Sequence, residues 1–423
     1  MSINQNNKPL DPASGGARGK PLDPASGGAR GKPPDSTRGK PLNTTRGKKV
    51  FVAMSGGVDS SVAAALLVQS GEYEVIGAYM KCWSEGAYCT SAQDAEDARR
   101  VAEKLHIPFY VFDLEKEYRA SVFDYMVREY KAGLTPNPDV MCNKEIKFGV
   151  FLNKARSLGA DYIATGHYVR KAQSAKFKTQ NEKSAARYML HVARDINKDQ
   201  SYFLWTLTQD QLKHALFPIG GYEKREVRAM AKKFGLPTHA KKDSQGLCFV
   251  GNIDFRSFMQ EVLPKRSGKI LTTGGKEIGT HEGAEFYTIG QRHGIGVGGG
   301  IPYYVTDKDV SINTITVAEG PYEEALFKTE LRVRDAHWIS GVVPELPLEC
   351  EVRIRYRQPL QVARIMNYES RITEETLIPN SKFLIQFKDP QRAVTPGQSI
   401  VFYSMEEGNL PAGRQVLGGA IIS

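Results

Sequence analysis

Apolar runs, helical spacings and strict alternation divide this chain into three textures. From Lys48 onward, short apolar runs take turns with helical patterns. Val50–Met54 reads as a buried strand, "SGGVDS" at 55–60 as a turn, and "SVAAALLVQS" as a helix that Gly71 ends. "YEVIGAYMKCW" predicts a second strand. "SAQDAEDARRVAEKLHIPFYVFDL" predicts helix then strand, and "FGVFLNKARSLGADYIATGHYV" repeats that order. Strands alternating with helices imply a doubly wound parallel sheet, covered on both faces. "KAQSAKFKTQNEKSAARYML" interrupts it as a polar loop, and "REVRAMAKKFGLPTHAKKDSQGLCFV" supplies a helix and a connection.

After about residue 250 the texture changes. One helix, "NIDFRSFMQEVL", precedes Gly-rich, strand-like sequence up to about 320. Period-2 alternation then dominates. In "CEVRIRYRQ", Val352, Ile354 and Tyr356 point one way while Glu351, Arg353 and Arg355 point the other. "SKFLIQFKD" and "QSIVFYS" read alike, so the end of the chain is expected to form a small antiparallel β-barrel. The expected fold is α/β plus β: a catalytic domain at 48–250, a small central mixed domain at 251–320 and a barrel at 321–423. "EGNLPAGRQ" at 407–415 reads as a loop insertion before the last strand.

The first 47 residues belong to none of these. "KPLDPASGGARG" at 8–19 repeats letter for letter at 20–31 and then decays. Such a segment has almost nothing to bury and is expected to be disordered. It changes the reading of charge. The net charge is +10, but residues 1–48 hold nine Lys/Arg against three Asp, so the other 375 residues carry only +4. The globular part is mildly basic, compatible with RNA without demonstrating it. A start without an apolar core excludes a secretory signal, and no apolar run approaches a membrane span. Five cysteines, at 82, 89, 142, 248 and 350, are too few and too scattered for a disulfide framework. They fit a reducing cytoplasm.

The chemistry begins at "SGGVDSS", directly after a buried strand and before a helix. Ser55, Gly56 and Gly57 let the backbone turn sharply, and their N–H groups with the helix start can hold an anion. No Lys follows, so this is not the G-x-x-x-x-G-K-[ST] loop. Asp59 falls in the first helical turn, where it is a candidate Mg²⁺ ligand beside a pyrophosphate, and Ser60 can donate to a phosphate oxygen. A Gly-rich turn with an Asp favoured by the helix dipole is the plain alternative. The whole S-G-G-x-D-S in this context favours a nucleotide. It is similar to the pyrophosphatase loop of enzymes that cleave ATP between its α and β phosphates and place AMP on a carbonyl or amide oxygen.

Two cysteines sit in turn-rich segments. In "PNPDVMCNKEIKFG" at 136–149, Pro136 and Pro138 fix an extended loop that presents Asn137 and Asp139. Cys142 then starts a helix beside Lys144 and Lys147, which lowers a thiol pKa. In "DSQGLCFVG" at 243–251, Gly246 places Cys248 at a mobile loop end. For each, a small buried hydrophobe is the competing reading. Cys82 and Cys89 make too weak a pattern for a metal site, and Cys350, opening a strand, is structural.

"AMSGGVDSSV", "NPDVMCNKEIKFG", "ATGHY", "KDQSYFLW", "DSQGLCF" and "EFYTIGQRHGIGVGG" follow one another as in a known family. From about residue 48 the chain resembles the bacterial and organellar tRNA-specific 2-thiouridylases. The resemblance implies an adenine nucleotide alpha-hydrolase-like sheet domain, ATP and Mg²⁺ as cofactors, and tRNA as substrate. ATP would adenylate the C2 oxygen of the wobble uridine. A persulfide on Cys248 would deliver sulfur with Cys142 as nucleophile, giving 2-thiouridine, AMP and pyrophosphate.

The same resemblance assigns Ala53, Met54, Ser55, Gly56, Gly57, Val58, Asp59, Ser60, Met80 and Gly166 to the nucleotide. It assigns Asn137, Pro138 and Asp139 to the flipped base, with Asp139 as acid/base, and His167 to a position beside the substrate. Lys198, Asp199, Gln200, Arg355, Tyr356 and Gln398 match tRNA-contact positions. It further implies tRNAs of the Lys, Glu and Gln type, an outside persulfide donor (a sulfur carrier or cysteine desulfurase), and a cytoplasmic monomer that meets no membrane. Three alternatives remain at this point: another adenylating ligase or amidotransferase of the same loop class, a non-enzymatic RNA-binding or redox protein, and an iron–sulfur-dependent form of the same thiolation.

Overall fold

The computed structural model describes residues 47–84, 90–174, 187–243, 255–298, 300–368, 383–405 and 413–423. The repeat tail, Cys89, Cys248 and residues 407–412 of the expected insertion lie outside the described residues.

The first elements are β1 (Lys48–Ala53), α1 (Val58–Ser70), β2 (Tyr73–Lys81), α2 (Ser91–Lys104) and β3 (Phe109–Asp113). Helices α3 (Glu115–Tyr118), α4 (Asp124–Lys131), α5 (Pro138–Met141) and α6 (Leu152–Ser157) follow, with wider π-type turns at Arg119–Phe123 and Cys142–Phe151. Then come β4 (Tyr162–Ala164), β5 (Arg170–Ser174), β6 (Arg187–His191), α7 (Gln209–Lys213), β7 (Ala215–Leu216) and α8 (Lys224–Lys233).

Five of these strands form one parallel sheet in the order β3-β2-β1-β4-β7. β1 and β2 are buried along nearly all their length, as expected for central strands covered on both faces. The chain leaves β1 to one side for β2 and later returns on the other side as β4, so the end of β1 is the switch point of the sheet. Ligand sites in such sheets open there. Gly71 ends α1 as expected: its φ is 68°, and its N–H donates to the Val68 carbonyl.

The central part has α9 (Phe255–Val262), β8 (Gly268–Thr272), β9 (Glu277–His281), β10 (Tyr303–Asp309) and β11 (Thr314–Glu319). Its four strands run β10-β11-β8-β9, with β8 and β11 parallel and the other pairs antiparallel. The last six strands are β12 (Phe327–Trp338), β13 (Leu348–Arg353), β14 (Gln361–Asn367), β15 (Phe383–Arg392), β16 (Ser399–Tyr403) and β17 (Gln415–Ile422). They run β12-β15-β14-β13-β16-β17, and β12 pairs with β17 to close the barrel. Val333, Trp338, Val352, Ile365, Ile385 and Phe402 fill it.

Two features depart from the sequence reading. The polar interruption after β4 is flanked by a hairpin, β5–β6, and β6 extends the barrel's sheet by pairing Leu190 with Val416 and His191 with Gln415. Strand β13 ends at Arg353, and Arg353 does not face water. Its guanidinium lies 2.9 Å from the Asp199 carboxylate, and the two side chains are 8% and 0% exposed. The alternation holds as far as Arg353, where the outward-pointing side chain is covered by Asp199 of the sheet domain, and Ile354–Arg357 lie beyond the strand. Asp199 also accepts from the Ala193 N–H at 3.0 Å and from the Ser201 hydroxyl at 2.8 Å.

A carboxylate removed from water holds its charge only while these donors remain. Asp199→Ala is expected to cost about 3–5 kcal/mol, because it leaves the Arg353 cation buried without its partner. Urea unfolding of the variant measures this; a loss under about 1 kcal/mol, the range of exposed ion pairs, would mean the pair behaves as a surface pair.

Candidate active site

Beyond β1 the chain enters Ser55–Ser60. Gly56 has a φ of 71°, and a side chain there would overlap the Asp94 carbonyl at the start of α2. Only glycine fits. Gly57 is the N-cap of α1 and offers no side-chain cap, so the helix start keeps N–H groups for an incoming anion. The loop is shaped beforehand. The Ser55 N–H donates to Ser60 Oγ at 3.1 Å, and the Ser61 hydroxyl donates to the Gly57 carbonyl at 2.7 Å. Ala53, Met54 and Val58 are buried beneath it.

Gly166 follows β4 and abuts the same turn, since a Cβ there would lie 2.6 Å from the Ser60 nitrogen. Met80 is buried at the end of β2. The fold thus gathers Ser55–Ser60 and Gly166 around the end of β1.

Asp59 carries the largest departure from expectation. Both its carboxylate oxygens accept from the Lys224 ammonium, at 2.7 and 2.8 Å, and Oδ1 also accepts from the Tyr168 hydroxyl at 2.8 Å. Lys224 reaches on to Asp243 at 2.9 Å, which Lys198 and Arg228 also bind at 2.7 and 2.6 Å. Burial works against the Asp243 charge, but hydrogen bonds from Lys198 and Lys224 outweigh it and hold its pKa below the usual carboxylate range. Burial, then the Asp59 charge, push the Tyr168 phenol far above its ordinary value, so it stays a donor.

A lysine therefore occupies both oxygens that a divalent cation would take, and the Asp59 donor set fits a fixed ammonium rather than a resident metal. Sequence reasoning missed Lys224, Tyr168 and Asp243. One hint existed: Lys224 opens α8, where the helix dipole disfavours a cation.

The extended loop expected over Pro136–Asp139 ends earlier than the sequence implied: α5 starts at Pro138, whose missing N–H suits the first helical position, so Asp139 already lies in that helix and Cys142 continues it rather than starting it. The Asn137 side chain caps that helix by accepting from the Val140 N–H at 3.2 Å, with Pro138 at the first helical position. Cys142 follows in the π-type turn, but it is fully buried in the apolar cluster with Val140 and Ile146. Lys144 pairs with Glu145 at 3.1 Å. The thiol is a buried neighbour of the loop rather than an exposed one. Phe148, on the same turn, lies 6.0 Å from the His167 ring and joins this segment to the nucleotide loop.

The residues matched to tRNA contacts mostly face inward. Lys198 binds Asp243, Asp199 binds Arg353, and Gln200 Oε1 accepts from the Tyr168 N–H at 3.0 Å. Arg355 donates to the Ala393 carbonyl and to the Ile289 carbonyl at 3.4 Å, tying barrel to central domain. The Tyr356 ring lies 4.6 Å from Phe203. Gln398 donates to the carbonyls of Thr135 and Pro136 at 2.9 and 3.2 Å.

These features define a class: a HUP-type nucleotide-binding domain joined to a barrel. Residues 48–252 match the tRNA methyl transferase HUP domain, 256–319 the tRNA methyl transferase PRC-barrel domain, and 328–422 the aminomethyltransferase beta-barrel domain. The tRNA-specific 2-thiouridylase MnmA 2 of Geobacillus kaustophilus (strain HTA426) is 47% identical over 363 residues, 85% of this chain and 92% of that protein. The MnmA proteins of Streptococcus thermophilus (strain ATCC BAA-491 / LMD-9) and Alkaliphilus oremlandii (strain OhILAs) are 44% and 45% identical, each over 88% of this chain and 95% and 96% of their own lengths. The chain belongs to the tRNA-specific 2-thiouridylase family.

His167 is buried, with Nδ1 2.8 Å from the Thr165 hydroxyl. Burial first, then the Lys147 charge, hold its pKa well below the ordinary imidazole value. It is neutral near pH 7. Below about pH 6.5 the unfolded chain takes up a proton that the folded chain refuses. Stability should therefore fall with pH in that window, by up to about 1.4 kcal/mol per pH unit from this residue, with no contribution above it. Urea unfolding between pH 5 and 7 should show a shallower slope in His167→Gln; an unchanged slope would mean that His167 titrates normally.

Proposed function

We propose that this protein is an ATP-dependent tRNA-uridine 2-sulfurtransferase acting on the wobble uridine. Family membership over most of the chain supports this most directly, and the nucleotide loop at the switch point of the sheet agrees with it. The division of the chain at 48–250, 251–320 and 321–423 belongs to the same reading, with the barrel engaging tRNA of the Lys, Glu or Gln type.

The loop N–H groups and the open start of α1 hold the phosphates of ATP, with Gly166 against the same loop and adenine beside Met80. Lys224, fixed between Asp59 and Asp243, adds positive charge without an ordering step. A Mg²⁺ carried by the nucleotide would neutralise phosphate charge, and Asp59 would be its protein ligand only in place of Lys224. The chemistry an adenylate supplies is a leaving group in place of a carbonyl oxygen.

The base leaves its stack and enters beside Asn137–Asp139, where Asp139 takes and returns its proton. The C2 oxygen attacks the α-phosphorus and pyrophosphate departs. The terminal sulfur of a Cys248 persulfide then bonds to C2 as AMP leaves. The Cys142 thiolate attacks Cys248 Sγ and breaks its bond to that sulfur, leaving 2-thiouridine and a Cys142–Cys248 disulfide. A thiol reductant supplies the two electrons that reset it. The persulfide comes from an outside donor, and the reducing cytoplasm suits the cycle. The buried Cys142 requires the loop to open toward the base at this step.

Purified protein with ATP, a persulfide donor and unmodified tRNA should yield 2-thiouridine by mass spectrometry of digested tRNA. Cys142→Ser should lose thiolation while AMP release from ATP in the presence of tRNA persists. Full thiolation by Cys142→Ser would point to another adenylating activity. An active, iron-free, colourless preparation would separate this route from one through an iron–sulfur cluster.

A further inference from the structure

The loop that carries Asp139 is short of hydrogen-bond donors. Pro136 and Pro138 have no N–H, so residues 135–138 cannot be held by an ordinary backbone ladder. The donors and acceptors that hold it come from the barrel, 263 positions away in sequence. Gln398 spends its side-chain nitrogen on two successive carbonyls, Thr135 at 2.9 Å and Pro136 at 3.2 Å. The Thr135 N–H donates to the Pro396 carbonyl at 2.9 Å.

Gly397 lies between them with a φ of 90°, and a Cβ there would stand 2.8 Å from the Thr135 nitrogen. Ser399, directly after Gln398, completes the grip. Its carbonyl accepts from the Tyr202 hydroxyl at 2.7 Å, and its own hydroxyl accepts from Trp205 Nε1 at 3.1 Å.

We propose that Gln398 and the Pro396–Ser399 turn are positioning elements for the thiolation step: the barrel holds the Asn137–Asp139 loop in register for the base. Gln398 acts on the loop backbone rather than as a contact to RNA. This rests on the proposed thiolation and names a residue that acts through Asp139.

Three variants test it: Gln398→Ala, Gln398→Glu, which keeps the shape but replaces the donor by an acceptor, and Gly397→Ala, which adds no group able to bind RNA. Each is assayed for kcat of thiolation, for the tRNA dissociation constant and for melting temperature, beside the unaltered protein. All three should lower kcat about 10- to 100-fold, the cost of a displaced reacting group, with tRNA binding within about twofold. The inference is overturned if Gln398→Ala weakens tRNA binding tenfold with kcat intact, or if Gly397→Ala thiolates normally. Should a variant also lose stability, the turn acts on folding unless kcat per folded molecule falls as well; a normal kcat per folded molecule overturns the inference. If the unaltered protein makes no 2-thiouridine, it is the proposed function that fails.

Discussion

A charge pair that water cannot reach governs how this molecule holds together. Asp199 and Arg353 come from the catalytic domain and the barrel, and neither side chain has appreciable exposure. Desolvating both ions costs several kcal/mol each, so the arrangement survives only with its partners in place. Ser201 and the Ala193 N–H donate to Asp199, and the Arg353 guanidinium lies 5.3 Å from the Tyr403 ring centroid. Tyr202 and Trp205, a few residues on, both anchor on Ser399. The stretch "KDQSYFLW" is therefore the seam between domains, and the loop at 135–137 that leads into α5 is fastened to the same turn.

A second electrostatic arrangement surrounds the nucleotide loop. Asp59, Asp94, Asp97 and Asp243 are met by Lys224, Lys241, Lys198 and Arg228. Lys241 reaches Asp94 and Asp97 on α2, beside the carbonyl against which Gly56 rests. The four cations and four carboxylates cancel, so these cations can turn toward phosphate oxygens only by sharing or leaving their carboxylate partners. That reading makes Lys224 a natural participant in adenylation, and it explains why a loop lacking its own lysine still meets a cation.

Much that depends on neighbouring residues was legible in the sequence, though the β5–β6 hairpin and the helix start at Pro138 were not. The strand–turn–helix of Val50–Ser70, the glycine that ends α1, the helix-then-strand texture of the central part and the alternating barrel strands all carry local marks. The order of motifs carried the family. Pairings across the chain left no such mark. Nothing near Asp59 announces Lys224, 165 positions later, and nothing in "TPGQS" announces that Gln398 holds Thr135 and Pro136. The buried partner of Arg353 left no mark either: alternation reports which way a strand residue points, not whether another domain covers that face. Cys142 misled, because nearby lysines imply an accessible thiol only if the turn is exposed.

The central claim is that the buried pair at the seam keeps the Asn137–Asp139 loop in place. Amide hydrogen exchange in Arg353→Met tests it at residue level. The Thr135 and Val140 amides, bonded to Pro396 and Asn137, should exchange at least about tenfold faster than in the unaltered protein, while Val52 in the central strand keeps its protection. Unchanged protection at Thr135 and Val140, or an equal loss at Val52, would contradict the account.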